Sequence, residues 1–254
     1  MSEHTNPQFS DVLSLLDNLP TMPKKAPFET TGEDTLTHLS QWLGYYSRVY
    51  DFSKGFEVNR CALYWAGYDE SDAFDGKKFV DSCKDGKSSL RSLASILDTD
   101  LQIFELAPNE FDRPNSSEIA MACSYGMMAI EDSTQLFCVA SFGQGVETAA
   151  QKAFDALNAA EFFDIEDFMT AHCGLDHAAI LGNAVAAIMK GVPILIEGVQ
   201  GRLIKTLLFK YTGESFGNII LTKDFPMPIS QNVPGKMALA TAITLKTLFL
   251  AMKK

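Results

Sequence analysis

The sequence predicts an α/β fold, a mostly parallel sheet with helices on both faces in a Rossmann-like three-layer arrangement. Three observations lead there. The short continuous apolar runs CALYWAG (61–67), LFCVAS (136–141) and VPILIEG (192–198) have the character of strands buried on both faces. Segments with apolar residues at three-to-four spacing alternate with them, as crossover helices do. Those segments are long enough to carry right-handed connections between parallel strands.

Each element follows from local chemistry. Phe9–Leu19 reads as a helix followed by a loop with Pro20, Pro23 and Pro27, so residues 1–30 form an extension and 31–254 a single α/β domain. Leu36, Leu39, Leu43 and Tyr46 give a helix over 31–50, and CALYWAG the first strand. Leu90, Leu93, Ala94 and Leu97 share a face of a helix over 86–97, and LQIFEL (101–106) is strand-like. Ser116 or Ser117 caps a helix to about Ala129, with Glu118 in the first turn where a negative charge is favoured. LFCVAS runs into FGQGVETAAQKAFDAL, a glycine turn and a helix with Val146, Ala150, Ala153 and Leu157 inward. Asp176 caps HAAILGNAVAAIMK (177–190), which Gly191 stops. VPILIEG and NIILT (218–222) supply further strands, and a helix over 236–252 closes the chain.

Composition narrows the partners. A net charge of −11 disfavours a nucleic-acid backbone. Residues 195–254 nevertheless carry eight Lys or Arg against three acids, so a small anion such as a phosphate could be held there. The N-terminus lacks a basic start followed by an apolar run, so no secretory signal is expected. MALATAITLKTLFLAM (237–252) is short and interrupted by Lys246, which fits a buried helix rather than a membrane span. Five cysteines without CxxC spacing read as free thiols in a reducing, cytoplasmic setting.

In such sheets ligands gather at the carboxyl ends of strands near the switch in strand order, which directs attention to Gly67, Ser141–Gly145, Glu197–Gly201 and 222–236. The stretch ASFGQGVET (140–148) is the foremost candidate: Gly143 and Gly145 leave backbone N–H groups uncovered at a helix start, where a phosphate is favoured. A tight structural turn is the competing reading. The third glycine of the dinucleotide fingerprint is missing, as is a GKS or GKT triplet. In IEGVQGR (196–202), Glu197 closes an apolar strand and is a candidate general base; alternatively it caps a following helix or pairs with Arg202 or Lys205. Gly235 and Lys236 at the start of the last helix could grip an anion. His172, Cys173, Asp176 and His177 are metal-competent side chains in a spacing that matches no familiar metal pattern, and a capped helix with a satisfied histidine is the simpler reading.

Taken together, 140–148 with the helix after it, and DHAAILGNAVAAIMKG (176–191) leading into Pro193–Val199, resemble the nicotinate-nucleotide–dimethylbenzimidazole phosphoribosyltransferases of cobamide synthesis. The first stretch stands where that family has a G-E-M-G-I-G-N-T-T type loop, the second where it has a helix with a central glycine (here Gly182) before a P-V-(V/L)-L-D-G-F strand. The resemblance implies an α/β enzyme, often homodimeric, that works without a metal or other cofactor on a small-molecule nucleotide, transferring phosphoribose from nicotinate mononucleotide to an aromatic base. It gives Gly143, Gly145, Thr148 and Gly201 a role in holding the phosphate, with Glu197 in place of the acid of the family's D-G pair; with the residue reading above, the expected ligand and phosphate site comprises these glycines and Thr148 together with Ser141, Gln144, Gly198, Gly235 and Lys236. The family's late general-base Glu has no counterpart, because Val233 stands at that position and Asp224 is the only acid after Glu214. The chain is also about 100 residues shorter than usual members, so trimmed base-binding segments are expected. Three functions remain open: a divergent phosphoribosyltransferase, a nucleotide- or phosphate-binding relative without the reaction, and an unrelated α/β hydrolase using the 172–177 segment. The nucleotide readings require the 143–145 bend and the loop after 192–198 to face one cavity.

Overall fold

The computed structural model describes residues 7–21, 43, 57–70, 72–109, 112–222 and 233–252. The expected helix over 31–50 lies outside them except for Leu43, which is helical and buried. Pro23, Pro27 and residues 223–232 also lie outside. Five strands form one parallel sheet in the order β2-β1-β3-β4-β5. They are β1 (Val58–Trp65), β2 (Asp100–Glu105), β3 (Leu136–Phe142), β4 (Ile194–Ile196) and β5 (Ile219–Leu221). The runs that lacked alternation do so because both faces are covered. Along β3, Phe137 and Val139 enter one apolar cluster while Leu136, Cys138 and Ala140 enter the other.

Nine helices are described: α1 (Phe9–Asp17), α2 (Gly76–Lys84), α3 (Ser89–Leu97), α4 (Ser116–Met128), α5 (Val146–Ala159), α6 (Ile165–His172), α7 (Leu175–Lys190), α8 (Val199–Thr212) and α9 (Lys236–Met252). Helices α2, α3 and α9 bury their apolar faces on one side of the sheet, the rest on the other. Thus α1 packs into the same core as α4 and α7. Two caps differ from expectation. Asn115, not Ser116 or Ser117, caps α4, its side chain accepting from Glu118 N–H while the Glu118 carboxylate accepts from Asn115 N–H. Gly174 precedes α7, so Asp176 lies inside the first turn and its carboxylate turns elsewhere. Helices α2 and α6 were not anticipated, and α8 was called for only by the reading in which Glu197 caps a following helix. The first two are short, whereas α8 shows Leu203, Ile204, Leu207 and Leu208 buried at helical spacing.

Helix α7 is buried nearly throughout and meets α4 at backbone contact. A Cβ on Gly182 would lie 1.9 Å from the Cys123 carbonyl oxygen, and one on Gly126 2.0 Å from that of Ala179. Asn183, fully buried, accepts from Tyr64 Oη at 3.0 Å and donates to the Gly126 carbonyl at 2.6 Å. This polar link fixes α4, α7 and β1 together. Gly182→Ala is therefore expected to destabilise the protein by about 2 kcal/mol, since overpacking against rigid backbone outweighs the roughly 1 kcal/mol that alanine gains in helix propensity. A lowered urea midpoint with unchanged slope would show it; an unchanged midpoint would mean that the helices part freely. No helix among the described residues is long and apolar enough to cross a membrane. All five cysteines are buried and free.

Candidate functional site

The strand order reverses between β1 and β3, so their carboxyl ends form the switch point of the sheet. There the 143–145 bend packs on the exit of β1. Gly143 has φ 134°, and a Cβ would lie 1.7 Å from the Ala66 carbonyl oxygen, so only glycine fits. Tyr68 N–H donates to the Gln144 carbonyl at 2.8 Å. Ser141, Gly143, Gly145, Thr148, Glu197 and Gly198 share the wall of one cavity of about 420 Å³. The two bends required to face each other do so. A larger cavity of about 490 Å³ lies on the other side of Gly145 and Thr148, which line both.

The remaining expected residues are placed differently. Gln144 directs its side chain to the Asp72 carbonyl and lines a neighbouring groove. Gly201 is buried under the sheet, where a Cβ would lie 2.8 Å from Leu221 Cδ2. Gly235 and Lys236 begin α9 outside the described walls of both cavities. Gly235 N–H donates to Glu197 Oε1 at 3.0 Å, and Ala238 N–H to Oε2 at 2.8 Å. Glu197 thus caps α9 across the sheet rather than the helix that follows it, and Arg202 stacks over Phe154 instead of pairing with it. Burial pushes the Glu197 carboxyl up to about 7, against the amides of Ala238, Gly235 and Met237, with the Glu147 charge adding to the rise.

Two features were not anticipated. Asp72 sits at the positive end of α5, where its Oδ2 accepts from Gly145 N–H at 2.7 Å, the place proposed for a phosphate. Asp176, fully buried, accepts from Ser141 Oγ at 2.6 Å through one oxygen and from Tyr68 Oη through the other. Burial first, then the Asp176 charge, drives the Tyr68 hydroxyl well above its ordinary range. A signal for this network was present: acids and histidines in a helix apolar on all sides must be buried and need partners.

The 172–177 segment is split. His172 is exposed and packs its ring at a tilt against Phe168, whereas His177 is fully buried with Nδ1 accepting from Gly174 N–H at 3.2 Å. Burial raises the Cys173 thiol far above its usual value, which removes thiolate character. Among the described residues no group of three or more His, Cys, Asp or Glu is placed to hold a metal ion.

No family model matches the chain, and no curated protein matches its sequence. Solved structures do match its fold. One, the nicotinate-nucleotide-dimethylbenzimidazole phosphoribosyltransferase from Thermus thermophilus, superposes with a TM-score of 0.65 at 12% identity, over 94% of this chain and 93% of that one. Another, described as CobT from the same organism, gives 0.63 at 10% identity, over 94% of each chain. The likeness is one of fold: a five-stranded parallel α/β sheet of the CobT kind. The expected shortening does not hold against these two, whose lengths this chain spans almost completely.

Proposed function

We propose that this chain binds a nucleotide of the nicotinate mononucleotide kind in the cleft at the ends of β1, β3 and β4, and transfers its phosphoribose to an aromatic base. The observation that carries the reading is the shared cavity of the 143–145 and 197–198 bends, with a carboxyl at its wall poised near neutrality. A general base is most effective when its pKa lies near the working pH. In such a transfer the C1–N bond to nicotinate breaks, a C1–N bond to the acceptor base forms, and the acceptor's N–H proton passes to Glu197. The pyridinium of the donor and the positive character at ribose C1 in the transition state both suit the carboxylates of Asp72, Glu147 and Glu197 around the cavity. The fold shared with the Thermus phosphoribosyltransferase supports the same class of chemistry.

A second reading is binding without transfer. It is favoured by the engagement of both Glu197 oxygens with the amides of α9. Thermal-shift measurements with nicotinate mononucleotide, nicotinate, phosphate and benzimidazoles test the first step. A ligand at a hundredfold excess over its Kd adds about 2.7 kcal/mol of stability, a rise in Tm of several degrees. No rise with any nucleotide would rule out both readings. A rise without release of nicotinate in the presence of a benzimidazole would select the second.

A further inference from the structure

We propose that the anionic end of the ligand is gripped by Arg113 and Lys152 in the larger cavity, not by the glycine bend that the sequence singles out. The inference takes the ligand's phosphate from the nucleotide reading, but the site stands on its own geometry. Both helix N-termini offered to an anion already hold carboxylates of this chain. Asp72 takes the Gly145 amide of α5, and Glu197 takes the Gly235 and Ala238 amides of α9. Asp72, Glu147 and Glu197 all line the smaller cavity, and none of its described wall residues is Lys, Arg or His. A phosphate placed there would meet three acids and no cation among the described residues.

The larger cavity differs in kind. Arg113, from the segment before α4, and Lys152, on α5, both line it, and neither side chain makes a hydrogen bond or ion pair with another described residue. Lys152 follows Thr148 by one helical turn, so hydroxyl and ammonium lie on one side of α5. His172 adds a third nitrogen base at the end of α6. This wall also carries three acids, Asp69, Asp112 and Glu118, so what sets it apart from the smaller cavity is the presence of cations and not a lack of carboxylates. A planar guanidinium fork with a mobile ammonium suits a phosphate monoester, whose two charges match two cations. The ligand then crosses the Gly145–Thr148 rim, with its phosphate in the larger cavity and its cationic ring in the acidic one.

Isothermal titration of the intact protein with inorganic phosphate, ribose 5-phosphate and nicotinate mononucleotide tests this. Lys152→Met and Arg113→Met are exposed substitutions that keep the apolar stem, and each should weaken ribose 5-phosphate binding by at least about tenfold, the loss of one charge-assisted contact. Asp72→Asn is the opposing control: if the phosphate sat on the Gly145 amide, this change would tighten binding while Lys152→Met left it unaltered, and that pattern overturns the proposal. Phosphate and ribose 5-phosphate binding that depends on Arg113 and Lys152, with no affinity for nicotinate mononucleotide, would keep this site and remove the nucleotide reading. Failure of all three probes to bind would overturn both.

Discussion

Glu197→Gln is expected to change how stability varies with pH and, in the transferase reading, to lower turnover by a factor of about 10²–10⁴. The sign follows from the carboxyl's native value of about 7 against an ordinary 4.5. Between those values the native state holds the proton more tightly than the unfolded chain, so this group's contribution falls as pH rises through that window. Above pH 7 the carboxylate is ionised in both states and the burial penalty is fully present. Glutamine carries no charge at any pH. Its amide oxygen can keep one α9 amide, while its NH₂ faces the other, a donor against a donor. The variant's stability relative to the parent should therefore improve between pH 5 and pH 8, by up to about 3 kcal/mol. Urea midpoints at the two pH values read this directly. A difference independent of pH would return Glu197 to an ordinary carboxylate and withdraw the support its position lends to base catalysis. In the parent, turnover should rise as pH increases through 7, since the base must be ionised to accept a proton, and the glutamine variant should lose that inflection.

The fold was more legible in the sequence than the site was, for a physical reason. Strands covered on both faces must be continuously apolar, so CALYWAG, LFCVAS and VPILIEG announce themselves without neighbours. The glycine bend was equally readable, because Gly143 answers a steric demand expressed within a few residues of a strand end. Partners across the sheet were not. Tyr68 and Asp176 are 108 positions apart, and no periodicity reports that their side chains meet. The same holds for Asp72 and Gly145, 73 apart, so nothing in the bend's own sequence reports that the chain's own carboxylate takes the Gly145 amide. Glu197 lies between these cases. A carboxylate closing an apolar strand signals a demand for donors, and only the structure shows that α9 meets it. Arg113 and Lys152 left no trace at all, because an unpaired cation on an exposed segment is ordinary until a cavity is found beside it.

Asp176→Ala is expected to have the largest effect on stability, about 3–5 kcal/mol, since it leaves two buried hydroxyls without an acceptor, each costing about 1–3 kcal/mol, and opens a void. The carboxylate is fully buried and satisfies hydroxyls from two strand exits, Tyr68 after β1 and Ser141 in β3. Alanine leaves both hydroxyls without their acceptor and opens a void beside His177, whose Nε2 already has no hydrogen-bond partner among the described residues. Asp176→Asn should be milder, at about 1–3 kcal/mol, since the amide oxygen still accepts from one hydroxyl and its NH₂ can donate to the other once that hydroxyl rotates. Tyr68→Phe removes one donor and should fall in the same range. A double-mutant cycle between Asp176→Asn and Tyr68→Phe then decides whether the network acts as a unit. A coupling of about 0.5 kcal/mol or more is expected for groups in direct contact, and strict additivity would mean that the Tyr68 hydroxyl is held by something else. Because Tyr68 and Gly174 line the larger cavity, the same cycle read by ribose 5-phosphate affinity measures how far this buried carboxylate holds the ligand's walls in place.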